Sequence, residues 1–76
     1  MGARLPESRE RYMRRRAERE ARDHELRQAM RFRDSHRKVA ACLTRMGCHQ
    51  RAAAEADRAA HYARRVAQIE ARRDTE

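Results

Sequence analysis

Residues 47–73 read GCHQRAAAEADRAAHYARRVAQIEARR, and the fold turns on how this stretch is read. Alanines 52, 53, 56, 59, 60, 63 and 67 fall on one side of a helical wheel. Arg51, Arg58, Arg65 and Arg72 recur every seven residues on the other side. Residues seven apart lie nearly over one another on an α-helix, with a small drift per heptad. The segment therefore predicts a helix over about 49–73 with a smooth packing face and a separate guanidinium row. Its last turn carries Arg72 and Arg73, where cations complement the helix dipole.

Upstream of this stretch, Gly47 follows Met46 and supplies the residue best suited to a left-handed helix stop. The other glycine is Gly2 and the one proline is Pro6, so nothing breaks a helix between positions 7 and 46 except local preference. Pro6 with Glu7 and Glu10 is a helix-start signature, because proline suits the first turn and carboxylates there complement the dipole. Asp34 and Ser35 are helix-capping types just ahead of the apolar stripe Val39, Leu43, Met46, which leaves two arrangements open: one helix from 7 to 46, or a break near 34. The expected fold is all-α. An antiparallel hairpin of about 35–46 and 49–73 follows a long charged helix over about 7–33, with Val39, Leu43 and Met46 nesting against Ala52, Ala56, Ala59 and Ala63.

Seventy-six residues make one small domain, with residues 1–34 as a charged arm and 35–76 as the hairpin core. Fifteen of the apolar residues are alanine, which buries little area, so the chain's own core falls short of a typical domain. Homodimerisation or docking on a larger partner is expected to supply the missing area. Two hairpins paired on one surface would form a four-helix bundle with Tyr62, Val66 and Ile69 at the seam.

The formal net charge of +8 favours an acidic partner, either nucleic acid or a larger acidic protein. Residues 1–38 carry 13 basic and 7 acidic groups, and residues 39–76 carry 7 and 5, so the arm holds most of the excess. Arginine and alanine share GC-rich codons, so the placement of the arginines says more than their number. The candidate nucleic-acid contacts are Arg51, Arg58, Arg65 and Arg72, with Arg14, Arg15 and Arg16 from the arm. The arm is polar on most faces and held by Glu-to-Arg pairs four apart, such as Glu7 with Arg11 and Glu10 with Arg14. Tyr12, Leu26 and Met30, which share a side, and Phe32 are the candidate contacts to a protein partner of the antitoxin-like, phage-encoded or adaptor type. Aromatic residues are too few for a reader that stacks on single-stranded bases.

Residues 39–56, VAACLTRMGCHQRAAAEA, faintly resemble a helix-turn-helix, in which a short helix ends at a glycine and a second helix offers its first side chains to a major groove. Leu43 departs from that pattern, standing where the family usually keeps a small residue, so membership is not claimed. Cys42, Cys48, His36, His49 and His61 are zinc-ligand types without two close pairs, so no metal is expected. There is no glycine-rich phosphate loop, no carboxylate pair on an apolar wall and no nucleophile beside a base, so neither a cofactor nor catalysis is expected. Two cysteines and the absence of a signal-peptide-like run point to a reducing cytoplasm. No stretch approaches the length of apolar chain a membrane span needs.

Overall fold

Gly47 turns the chain back on itself. Its φ of 81° lies in the left-handed region that glycine enters without a Cβ penalty. Around it, Cys48 N–H donates to Leu43 O at 2.9 Å and Gly47 N–H donates to Thr44 O at 3.1 Å. This nested pair is a Schellman stop, and it satisfies carbonyls that the end of a helix would otherwise leave open. The computed structural model describes residues 4–75, with side chains from Ser8 to Thr75. Helix α1 covers Arg4–Arg45 and helix α2 covers His49–Asp74, with no strand among the described residues. The fold is an all-α helical hairpin with a long first helix.

Helix α1 is continuous through Asp34 and Ser35, which resolves the two arrangements in favour of one helix. Asp34 instead accepts from Arg33 Nε at 3.0 Å, and Arg37 lies 4.0 Å away. The helix begins at Arg4, ahead of the expected position 7, with Pro6 in its first turn, where the missing N–H costs no hydrogen bond. The expected Glu7 to Arg11 pair lies outside the described side chains; Arg16 and Glu20 form a four-apart pair on this stretch at 3.0 Å.

The two helices run antiparallel, as shown by contacts that pair rising numbers on α1 with falling numbers on α2. Glu25 meets Arg72, Phe32 meets Tyr62 and His36 meets Glu55. Positions 22, 26, 29, 33, 36, 40 and 43 of α1 and 52, 55, 59, 62, 66 and 69 of α2 are covered and form one line, with Asp23, Glu25 and Ala63 half-buried beside it. Steps of three and four alternate on both, which is the heptad spacing of an antiparallel coiled-coil seam. Its apolar centre is Ala29, Val66 and Ile69 with Leu26 packed against them.

This seam corrects the expected packing. Ala52 and Ala59 are buried and Ala63 is half-buried, but Ala56 is exposed, as are Val39 and Met46. Val66 and Ile69, placed at a dimer seam in the sequence reading, are buried within the single chain, and Tyr62 is half-buried beside them. The reason is area: Val66, Ile69 and Tyr62 share an edge of α2 with Ala52 and Ala59, and covering larger side chains stabilises more than covering alanines. The antiparallel packing within a cross-section of 17 × 12 Å also leaves no room for the steep crossing of a helix-turn-helix.

At about 1.5 Å per residue, α1 is about 63 Å long and α2 about 39 Å, so roughly 24 Å of α1 runs on without a partner. Every described side chain from Ser8 to Ala21 is exposed. The radius of gyration is 19.3 Å, against about 11 Å for a compact domain of this length.

Ile69 is the fully buried anchor of this seam. Ile69→Ala is expected to cost about 2–5 kcal/mol in urea unfolding followed by helical circular dichroism, whereas Ala60→Ser on the exposed flank should stay within about 0.5 kcal/mol.

Candidate functional site

The seam divides the hairpin surface into two flanks with different chemistry. On one flank, Arg51, Arg58, Arg65 and Arg72 follow α2 at intervals of seven. The matching row on α1 is Glu25, Phe32, Val39 and Met46, again seven apart. Glu25 fixes their adjacency: its carboxylate accepts from Arg65 and lies 3.8 Å from Arg72. On the other flank, α2 presents Ala53, Ala56, Ala60 and Ala67, exposed, with half-buried Ala63 and with Met30 across on α1.

Glu55 and His36 occupy seam positions and form its polar centre. His36 Nδ1 lies 2.5 Å from Glu55 Oε2, and Arg58 donates to the other carboxylate oxygen at 2.8 Å. The His36 ring stacks on Tyr62 at 5.6 Å with planes 7° apart, and Phe32 tilts onto the same tyrosine at 5.3 Å. His61 meets Tyr62 edge-on from α2 itself. Both Glu55 oxygens thus accept hydrogen bonds, and the bond from His36 does most to hold this carboxyl below the ordinary carboxylate range.

The arginine row predicted from the sequence exists as a continuous flank, but it is not a bare one. Arg58 is paired with Glu55, and Arg65 and Arg72 share Glu25. Arg51 stands at the turn end with no ion pair among the described residues. Arg14, Arg15 and Arg16 lie on the projecting part of α1, far from that row along the hairpin axis. The two arginine groups do not form one site.

Tyr12, Leu26 and Met30 share a side of α1, as expected, but they do not form one free surface. Tyr12 is exposed on the arm, Leu26 is drawn into the core cluster, and Met30 sits at the edge of the alanine flank. Phe32 lies on the opposite flank with Tyr62. The sequence reading did not single out Val39 and Met46 as surface residues. The signal was the interval of seven that links them to Phe32, visible only once Leu43 and Ala40 are assigned to the seam.

Among the described residues, no group of three or more His, Cys, Asp or Glu side chains is placed to hold a metal ion. Cys42 is exposed and Cys48 half-buried, and both are free thiols. No described helix is long and apolar enough to cross a membrane.

The lowered pKa of Glu55 has a definite sign. A carboxyl whose folded pKa is depressed contributes stability that is present above its unfolded pKa and is lost as pH falls through the folded value. Glu55→Gln is therefore expected to lower the thermal midpoint at about pH 7, and the gap between variant and parent should narrow by about pH 3, as melts at the two pH values would show. Compared with models of known protein families, with curated proteins and with solved structures, the chain matches none.

Proposed function

We propose that this protein is a small, non-catalytic helical binding protein whose basic arm contacts nucleic acid or a nucleoprotein assembly. The observation that carries this reading is the projecting stretch of α1, where Arg9, Arg11, Arg14, Arg15, Arg16 and Arg19 are all exposed on a helix with no neighbour in the chain. Successive positions on a helix are separated by about 100°, so these six spread over about 220° of its circumference, broader than a stripe, and leave the remaining side to Glu10, Met13, Ala17 and Glu20. A helix that is basic over more than half of its circumference suits an environment with anions on more than one side. A major groove of about 12 Å admits such a helix and presents phosphates along both walls.

Energetics favour the same element. A lone helix of this length is marginal in water, and pairs such as Arg16 with Glu20 add only about 0.2–0.5 kcal/mol each. Neutralising the surplus arginines on a polyanion would stabilise the arm at the moment of binding. The α2 row serves as a secondary contact in this reading, because Arg58, Arg65 and Arg72 already have carboxylate partners. Exposed pairs of that kind hold by at most about 1 kcal/mol, so phosphates can compete for them.

The test is fluorescence anisotropy with random-sequence duplex and single-stranded DNA and RNA at two salt concentrations. The parent protein should bind more weakly as salt rises. A variant with Arg14, Arg15 and Arg16 all changed to Glu should lose affinity for every sequence alike, with a log–log salt slope on duplex DNA shallower by roughly 3. Changing Arg51 and Arg58 to Glu should cost less. Absence of binding at low salt, or an unchanged slope in the arm variant, would overturn the reading.

A further inference from the structure

We propose that the surface formed by Phe32, Val39 and Met46 of α1 beside Arg51, Arg58 and Arg65 of α2 is a docking face for an acidic amphipathic helix of another protein. This face is separate from the basic arm and does not depend on it. Phe32, Val39 and Met46 keep 43, 42 and 68 % of their surface exposed, which is large for the bulkier apolar residues of so short a chain. They are seven apart and so lie in one row about 21 Å long, the reach of four helical turns.

The arginines run beside that row at the same interval, and Glu25, in the apolar row itself, pairs with Arg65 and Arg72. A partner helix laid along the hairpin would put apolar residues at i, i+3 or i+4, and i+7 onto Phe32, Val39 and Met46. Its flanking glutamates or aspartates would then meet Arg51 and compete with Glu55 and Glu25 for Arg58 and Arg65, whose guanidinium forks donate in a bidentate manner to carboxylates. Aromatic, methionine and arginine side chains are the types enriched at the centres of protein interfaces, and all three meet here, with Phe32 tilted onto Tyr62.

Charge selects this occupant over the two others. Pairing the same face on a second copy would bring a row of four arginines toward another such row, and the carboxylates on the face, Glu25 and Glu55, already have partners within the chain. Nucleic acid would satisfy the arginines but set phosphates against three apolar side chains, gaining nothing from their burial.

The experiment uses the full chain and a fluorescein-labelled helical peptide of about three heptads, with Leu at the apolar positions and Glu flanking them, beside a scrambled peptide of the same composition. The parent is expected to bind the patterned peptide about tenfold or more tightly than the scrambled one. Val39→Asp and Arg51→Glu should each weaken binding by about tenfold, while Ala60→Glu on the opposite flank should not. Circular dichroism confirms that each variant is folded, and if Val39→Asp is not, Arg51→Glu and Met46→Asp carry the test. Equal affinity for the two peptides would reduce the effect to bulk charge and overturn the proposal. So would a parent dimer in sedimentation that Val39→Asp dissolves, which makes a second copy the occupant. Oligonucleotide binding that Val39→Asp abolishes would likewise assign the face to nucleic acid. Absence of patterned-peptide binding by the parent, with arm-dependent oligonucleotide binding intact, would refute this face alone.

Discussion

The register between α1 and α2 is the constraint on which the remaining features rest. Ile69 and Val66 set it by packing on Ala29 and Leu26, and the Schellman turn at Gly47 sets it again from the other end. With both ends fixed, every other side chain has its place relative to the seam decided by its position in the heptad. The apolar contribution is small, since alanine supplies three of the five buried positions. Half-buried residues fill the rest of the line, polar ones among them, and His36 with Glu55 shows how that is tolerated: each carboxylate oxygen has a donor, so desolvation is offset where it occurs.

The sequence made the helices legible but not the way they face each other. Pro6, Gly47 and the seven-residue intervals define two helices and the turn between them, because helix punctuation is written in residues with distinctive backbone preferences. Asp34 and Ser35 left the continuity of α1 undecided, and in the fold Asp34 pairs with Arg33 and Arg37 along the helix surface instead of capping. The helix facing was misread because alanine dominates α2 by number. Area, not number, decides which edge is covered, so the edge bearing Tyr62, Val66 and Ile69 turns inward, between the exposed alanines and the arginine side.

That rotation changes the meaning of the arginine row. Taken from the sequence it is a solvent face opposite a core; in the fold it borders the seam and gains carboxylate neighbours across it. It also gains the apolar row of α1, which the sequence scatters among basic residues. The arm fared differently. Having no neighbour, it owes nothing to facing, and its arginines are as accessible as the sequence implied.

The heptad seam has one more consequence, for how such a chain can change in length. A single residue inserted in either helix rotates everything beyond it by about 100°, which would exchange the arginine side of α2 for its buried edge. Seven residues restore every row to its flank. Growth or shortening of the hairpin is therefore quantised: paired additions of a heptad to both helices lengthen the molecule without altering its faces, and any other increment leaves the two ends of one helix presenting different surfaces.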